Sequence, residues 1–589
     1  MIPVIERGQA DGVPVLRTGG IAGRHAAALM FRVGRFDEPL AASGITHMVE
    51  HLAFAGRPVA SYRFNASVGG RYTAFYMESG ENADIADFVA AVCRGLTADA
   101  SAVLDRERVV LRTEAASRGG AGAAGRALTE RFGAAGPGIV SYMEFGLRHL
   151  GWTEVADWRR RWFTAGNAVL AIAGDVPRDL RVSLPAGPAA RTADPVPRRL
   201  ALPGFAATGH RGVGVSLVHQ RTALDAHAAV RILHERVTRV LRHELGITYD
   251  VQHDAEELGQ ELVHAWIAAD ALAEQVPMAS HALLTEFESL IDQGCGAAEI
   301  DALVRPMRSA YQEPGASWGL LLRAARDLLN DRRSRDPEES IMLLAELEPK
   351  HVAEAARGLF DQMIVTVPWA VPAVQGRMPA LPAWSATGVN GTVLASTDSD
   401  AALTVGDDGV TLTLEPGRHN PARQTTVRFG EVAALVRWAD GRHVMVGADG
   451  LDLQLDPDEW QDGKRVIGYV AGRVRPDRVV AIDAEGAPRP GRGREQAGGT
   501  PALSGALSGA SPAASSAAAE DARAARRKRL AAIWVSRVVY AAMVVGGVAA
   551  GGSTGALCAV CGAIGLIGFE FRYVRAQRQA SRRSRPRRG

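Results

Sequence analysis

The residues best suited to chemistry are two histidines and a glutamate in the run Gly44-Ile-Thr-His47-Met-Val-Glu50-His51. On a helix His47 and His51 lie one turn apart on the same face, so both imidazoles can aim a nitrogen at one metal ion. Glu50 lies beside them, close enough to reach a metal-bound water without taking a ligand position. This is the H-x-x-E-H order, the reverse of H-E-x-x-H. A zinc site needs a third protein ligand. The amphipathic run 102–118 supplies Glu107 and Glu114 on one face of a helix, two turns apart. One of these carboxylates can bind the metal while the other supports it from behind.

Such residues need a scaffold to hold them. The 589 residues are 47% hydrophobic and 22% charged, enough at ~150 residues per domain for three or four domains with real cores. A disordered or fibrous chain is excluded. The net charge of +2 gives no reason to expect a nucleic-acid partner. Four cysteines in so long a chain cannot make a disulfide framework, and they suit a reducing compartment. The run Met1-Ile-Pro-Val-Ile-Glu-Arg7 lacks a secretory pattern, so the bulk of the chain is expected in the cytoplasm.

Up to about residue 370, helical patterns alternate with short β-branched runs, in two stretches divided by the Pro/Ala/Arg-rich segment 185–203. The pattern predicts an α+β protein. Residues 1–185 and 201–385 are expected as tandem domains, each an antiparallel sheet with helices on one face. Residues 388–483 change to short strands with Asp-Gly turns at 408–409, 440–441 and 449–450, a separate β-rich domain. Residues 484–530 form a flexible Gly/Ala/Pro/Ser linker with a basic end. Residues 538–569 carry no charge, and both flanks are rich in arginine. They predict a transmembrane helical hairpin within 531–572 that turns near Gly551, keeping the basic tail 573–589 on the cytoplasmic side. Cys558 and Cys561 fall inside this apolar run as packing residues.

Over roughly residues 1–370 the chain resembles the insulinase/pitrilysin family of zinc metallopeptidases, in its branch of half-length, processing-peptidase-like subunits. The resemblance implies zinc on His47, His51 and Glu114, with Glu107 behind the ligands and Glu50 as the catalytic base. Phe64-Asn65-Ala66, followed by Thr73 and Tyr76, is similar to the family's N-A-x-x strand, whose Asn and edge backbone hold the substrate. Val68 stands where the family carries Thr or Ser. The run from Asn167 to Asp175 is similar to the strand and turn that close the family's first domain. Arg242 and Tyr249 match its R-x-x-x-G-x-x-Y signature, which binds substrate carbonyls. The family's helix after the active-site one is replaced here by the short Arg57-Pro-Val-Ala-Ser-Tyr-Arg63, which alters the chamber wall beside the zinc.

The implied function is zinc-dependent hydrolysis of peptide bonds in peptides or unfolded segments by a membrane-tethered, cytoplasmic catalytic part. The implied partner is a second half-length subunit, in a homodimer or heterodimer, so that Arg242 and Tyr249 complete the zinc site of the opposite chain. Two competing readings are a catalytically silent scaffold or partner subunit of the same family, and a membrane-anchored adaptor acting through the β-rich domain.

Overall fold

The runs Val13–Thr18, His25–Phe31 and Ala168–Ala173 are apolar and almost wholly buried, which suits strands at the centre of a sheet covered on both faces. The computed structural model describes residues 4–482 apart from 22, 56–59, 119–121, 190–193, 314, 398 and 415–422. The first sheet uses β1 (Glu6–Ala10), β2 (Val13–Thr18), β3 (His25–Phe31), β4 (Arg63–Val68), β5 (Thr73–Ser79) and β6 (Ala168–Ala173), in the order β1-β2-β6-β3-β5-β4. On one face lie α1 (Ile45–Phe54), α2 (Asp84–Thr97), α3 (Leu104–Arg118) and α5 (Trp152–Trp162), around a core that includes Phe31, Phe75, Phe88 and Trp162. Between α3 and α5 in the chain comes α4 (Gly122–Phe132).

The second sheet repeats the plan with β7 (Gly204–Ala207), β8 (Val213–Gln220), β9 (Val251–Glu257), β10 (Leu262–Ala269) and β11 (Ile364–Val367), in the order β7-β11-β8-β10-β9. Its core is shared by α6 (Leu224–Thr238), α7 (Val276–Gln293), α8 (Ala297–Ala310), α10 (Pro337–Ala345), α11 (Pro349–Asp361) and the one-turn α12 (Pro372–Gln375). The remaining helix, α9 (Ala316–Leu329), packs elsewhere.

Two features correct the expectation of antiparallel sheets with helices on one face. The pairs β2/β6 and β7/β11 are parallel: in each domain the strand that closes the sheet returns after a long excursion in the direction of β2 and of β7 respectively. Each sheet also has its second face covered, by a helix from the other domain. Leu321 and Ala325 of α9 pack on Leu16, Met30 and Val169 of the first sheet. Reciprocally, Ala127 of α4 packs on Ala206 and Ile364 of the second, while Leu128 and Phe132 reach Leu258. A helical period reveals that a helix has an apolar face, but not which sheet will cover it.

The third region holds two four-stranded sheets. One is an antiparallel meander of β12 (Gly391–Ala395), β13 (Ala401–Gly406), β14 (Gly409–Leu414) and β15 (Arg423–Arg428). The other is a meander of β16 (Val432–Trp438), β17 (His443–Gly447) and β18 (Asp452–Leu455), extended by β19 (Val479–Ile482) parallel to β16. Leu403, Val410, Leu435, Met445 and Ile467 of α13 (Gly463–Arg473) share one core between the sheets. The expected Asp-Gly turns join β13 to β14, β16 to β17 and β17 to β18, and Gly441 and Gly450 take positive φ. The linker, the apolar run with Cys558 and Cys561, and the basic tail lie outside the described residues. Among the described residues no helix is long and apolar enough to cross a membrane.

Candidate metal centre

Helix α1 starts at Gly44, whose φ of 91° is reserved in practice for glycine. Its first amides are satisfied from a distance: the Gly44 and Thr46 N–H groups donate to the two oxygens of Glu38, at 2.7 and 2.8 Å. Ile45, Met48, Val49 and Leu52 turn into the core, which leaves His47, Glu50 and His51 together on another face. Trp158 of α5 donates to the Thr46 hydroxyl at 3.1 Å and pins the first turn. Gly95 of α2 allows the closest approach: a Cβ there would lie 1.9 Å from the Ala53 carbonyl oxygen.

The two imidazoles stand edge to face, 5.0 Å apart. Nε2 of His47 lies 3.7 Å from Glu50 Oε2 and 3.7 Å from Glu114 Oε2. For His51 the same distances are 3.8 and 3.5 Å. A tetrahedral zinc with bonds of about 2.0–2.1 Å needs ligand atoms about 3.3–3.4 Å apart, and these imidazole–carboxylate distances come close to that. His47, Glu50 and His51 each offer a ligand atom, all within 4.8 Å of one another. Both ring Nδ1 atoms face carboxylates as well. Glu107 Oε2 lies 3.4 Å from His51 Nδ1, and Glu144 Oε1 lies 3.3 Å from His47 Nδ1. Such contacts fix the tautomer that leaves Nε2 as the donor to a metal. Burial lowers the His51 pKa, but Glu114, Glu50 and Glu107 outweigh it, and the net shift is upward. The cluster therefore favours positive charge at its centre.

Glu107 is itself held by Arg106, whose Nε and Nη2 donate to its other oxygen at 3.0 and 2.8 Å. Neither Arg106 nor Glu144 was expected at the site. Glu144 is remote in sequence from α1, and its only signal is the general need of a ligating histidine for a partner at its second nitrogen.

Asn65 and Ala66 lie on β4, which ends the first sheet. Asn65 pairs in register with Tyr76 of β5 and hydrogen-bonds it. Burial raises the Tyr76 pKa, the Asn65 bond opposes this, and the charge of Glu50 adds to the rise, which ties β5 electrostatically to the cluster. Phe64 packs on Phe54 at 4.8 Å, so β4 runs beside the end of α1 although the connection between them is short. Of the shortened segment, residues 57–59 lie outside the described residues; Tyr62 is buried and donates to Asp87 at 2.7 Å.

Arg242 and Tyr249 are brought to each other. Arg242 sits in the turn of π-helix after α6, and its guanidinium lies 5.8 Å from the centre of the Tyr249 ring. Tyr249 is 72% exposed. Among the described residues no hydrogen bond or ion pair joins either residue to His47, Glu50, His51 or Glu114.

No protein-family model matches the chain, and no curated protein matches it. Solved structures do. A peptidase M16 inactive domain from Pseudomonas fluorescens superposes with a TM-score of 0.51 at 15% identity, covering 62% of this chain and 97% of that one. The periplasmic protease PqqL from Escherichia coli gives 0.51 at 16% identity over 72% of this chain and 55% of its own. A chain of Complex III2 from Candida albicans gives 0.50 at 12% identity, covering 62% of this chain and 95% of that one. This is the M16 peptidase fold. The chain spans nearly the whole of the shorter M16 structure and about half of PqqL, so it corresponds to one half of the longer M16 protein. An M16 fold is compatible with both active and inactive domains, and the side chains must decide between them.

Proposed function

We propose that the chain is a zinc-dependent endopeptidase that hydrolyses peptides or unfolded protein segments. The observation that carries this reading is the convergence of two imidazole Nε2 atoms and two carboxylate oxygens, with a further carboxylate behind each ring. In this reading His47, His51 and Glu114 hold the ion. Zinc bound there would acidify a water toward a pKa of ~7 and polarise the scissile carbonyl. Glu50, buried between the imidazoles, takes the proton of the attacking water and returns it to the leaving amine as the C–N bond breaks. Asn65 and the outer edge of β4 hold the substrate as an added strand through main-chain hydrogen bonds, which reads sequence loosely.

Arg242 and Tyr249 belong, in this reading, to the site of a second half-length subunit. The exposure of Tyr249 supports it, as does that of Val109 and Val110, 62% and 45% exposed on the helix that carries Glu107 and Glu114. A two-fold dimer would supply both missing pairs. Mixing E50Q with R242A chains should then restore cleavage that neither has alone. The apolar run 538–569 would hold the catalytic part at the cytoplasmic face of a membrane.

The rival reading is a silent scaffold, since one of the similar structures is described as inactive. The deciding experiment follows cleavage of reduced, alkylated casein by the purified chain. We expect cleavage that a chelator abolishes, that zinc restores and that E50Q lacks. Cleavage no faster than that of E50Q would favour the scaffold.

A further inference from the structure

The β-rich region carries no candidate catalytic residue, yet it packs directly against the two segments that orient α1. The outward face of its second sheet, formed by Ala434, Val436, Val444, Val446, Val480 and Ile482, shares a core with Leu40, Ala41 and Phe145. Leu40 follows closely on Glu38, the carboxylate that caps α1 through Gly44 and Thr46. Phe145 is wholly buried and is the neighbour of Glu144, the carboxylate at His47 Nδ1.

The Glu144 turn is also stitched to the start of α1. The Ser43 hydroxyl donates to the Met143 carbonyl at 3.2 Å and accepts from the Phe145 N–H at 2.9 Å. The Gly146 N–H donates to the Ser43 carbonyl at 2.8 Å. At Gly44 a Cβ would meet the Glu144 Cβ at 2.8 Å, so the stem of Glu144 lies flat on the helix start. A small movement of this turn moves the acceptor of His47 Nδ1, and Phe145 anchors the turn from the β-rich side, with Tyr142 and Met143 packed against the same core.

We propose that the β-rich module is a clamp on the metal centre: by burying Phe145 it holds the positioning residue Glu144 on His47, and the affinity of the site for zinc depends on that docking. The inference rests on the zinc reading above and extends it to a region that reading leaves without a role. It requires that Glu144 and the interface act as one unit, so that removing either removes the same contribution. Carboxylates behind metal-binding histidines are typically worth about 10- to 100-fold in affinity.

The test measures zinc affinity of the full chain by competition with a chromophoric chelator, for wild type, E144Q, F145L, A434E and the double variant E144Q/F145L. F145L keeps an apolar anchor and E144Q is isosteric, so both are chosen to retain the fold. Hydrogen exchange of residues 143–147 in the same proteins reports the turn directly, with or without metal. We expect about a tenfold weaker zinc affinity in E144Q and in F145L, at least as large a loss in A434E, and no further loss in the double variant. Exchange in 143–147 should rise in F145L and A434E. Unchanged affinity in F145L and A434E, or losses that multiply in the double variant, would overturn the clamp while leaving the zinc reading intact. A wild-type chain that binds no zinc would overturn both.

Discussion

Glu38 lies fully buried beneath the start of α1, and burial pushes its carboxyl up to about 7, against two backbone N–H bonds and the Thr46 hydroxyl, which pull it down. Desolvation wins here because three hydrogen bonds replace only part of the water that an ionised carboxylate loses. The sign of the consequence is fixed by linkage. The unfolded chain releases this proton near 4.5 and the folded chain only near 7, so the stability that Glu38 contributes is full below 4.5 and is lost as pH rises through 7. With about 1.4 kcal/mol per pKa unit, the change between pH 5 and pH 8 comes to about 2.5 kcal/mol. E38Q removes the titration and keeps the shape, at the cost of one N–H facing an amide N–H. The assay is thermal or urea unfolding of metal-free wild type and E38Q across pH 5–8, read as the difference between the two proteins so that all other titrating groups cancel. Wild type should lose its advantage over E38Q as pH rises, by a few kcal/mol in all. Parallel pH profiles, or an advantage that grows with pH, would refute the argument.

Three further outcomes follow from close contacts. Arg131 of α4 reaches across to the second domain, donating to the Ser216 and Gln362 carbonyls at 2.8 and 2.5 Å, and burial lowers its pKa to about 10. R131M should remove the bonds that tie α4 to the second domain at roughly 1–3 kcal/mol in all, and limited proteolysis should find the 185–203 connection more accessible. G95A should force α1 off α2 at Ala53, destabilising the first domain and weakening zinc binding, as differential scanning and chelator competition would register. N65A should raise the KM for peptide by up to about tenfold with zinc affinity unchanged, measured by steady-state kinetics beside metal titration, because in the proposed reading Asn65, on the edge strand β4, holds the substrate and not the metal.

The parts of the site legible in the sequence are those set by local geometry. His47, Glu50 and His51 share a helical face because of their spacing, and Glu107 and Glu114 share another, so two helices were enough to bring most of the donor set into view. The hairpin turns at 440–441 and 449–450 were legible for the same reason: Asp-Gly supplies the positive φ that tight turns between strands require. Glu38 and Glu144 were not legible. Glu38 caps α1 from a turn six and eight residues before the amides it accepts, Glu144 reaches His47 from a turn remote in sequence, and no periodicity marks either. The exchange of α4 and α9 between sheets was hidden too, since each helix shows an ordinary amphipathic pattern whichever sheet it covers. Arg242 and Tyr249, spaced seven apart in the sequence, are brought face to face in the structure.

The central claim is that His47, His51 and Glu114 hold zinc while Glu50 remains the base, although the structure puts the oxygens of Glu50 and Glu114 at nearly equal distances from both imidazoles. The most direct test is metal analysis with zinc-edge X-ray absorption on wild type, E50Q and E114A. The account predicts one zinc per chain with two imidazole ligands in wild type and E50Q, and little or no zinc in E114A. A wild type without stoichiometric zinc, or zinc lost from E50Q and kept by E114A, would contradict it.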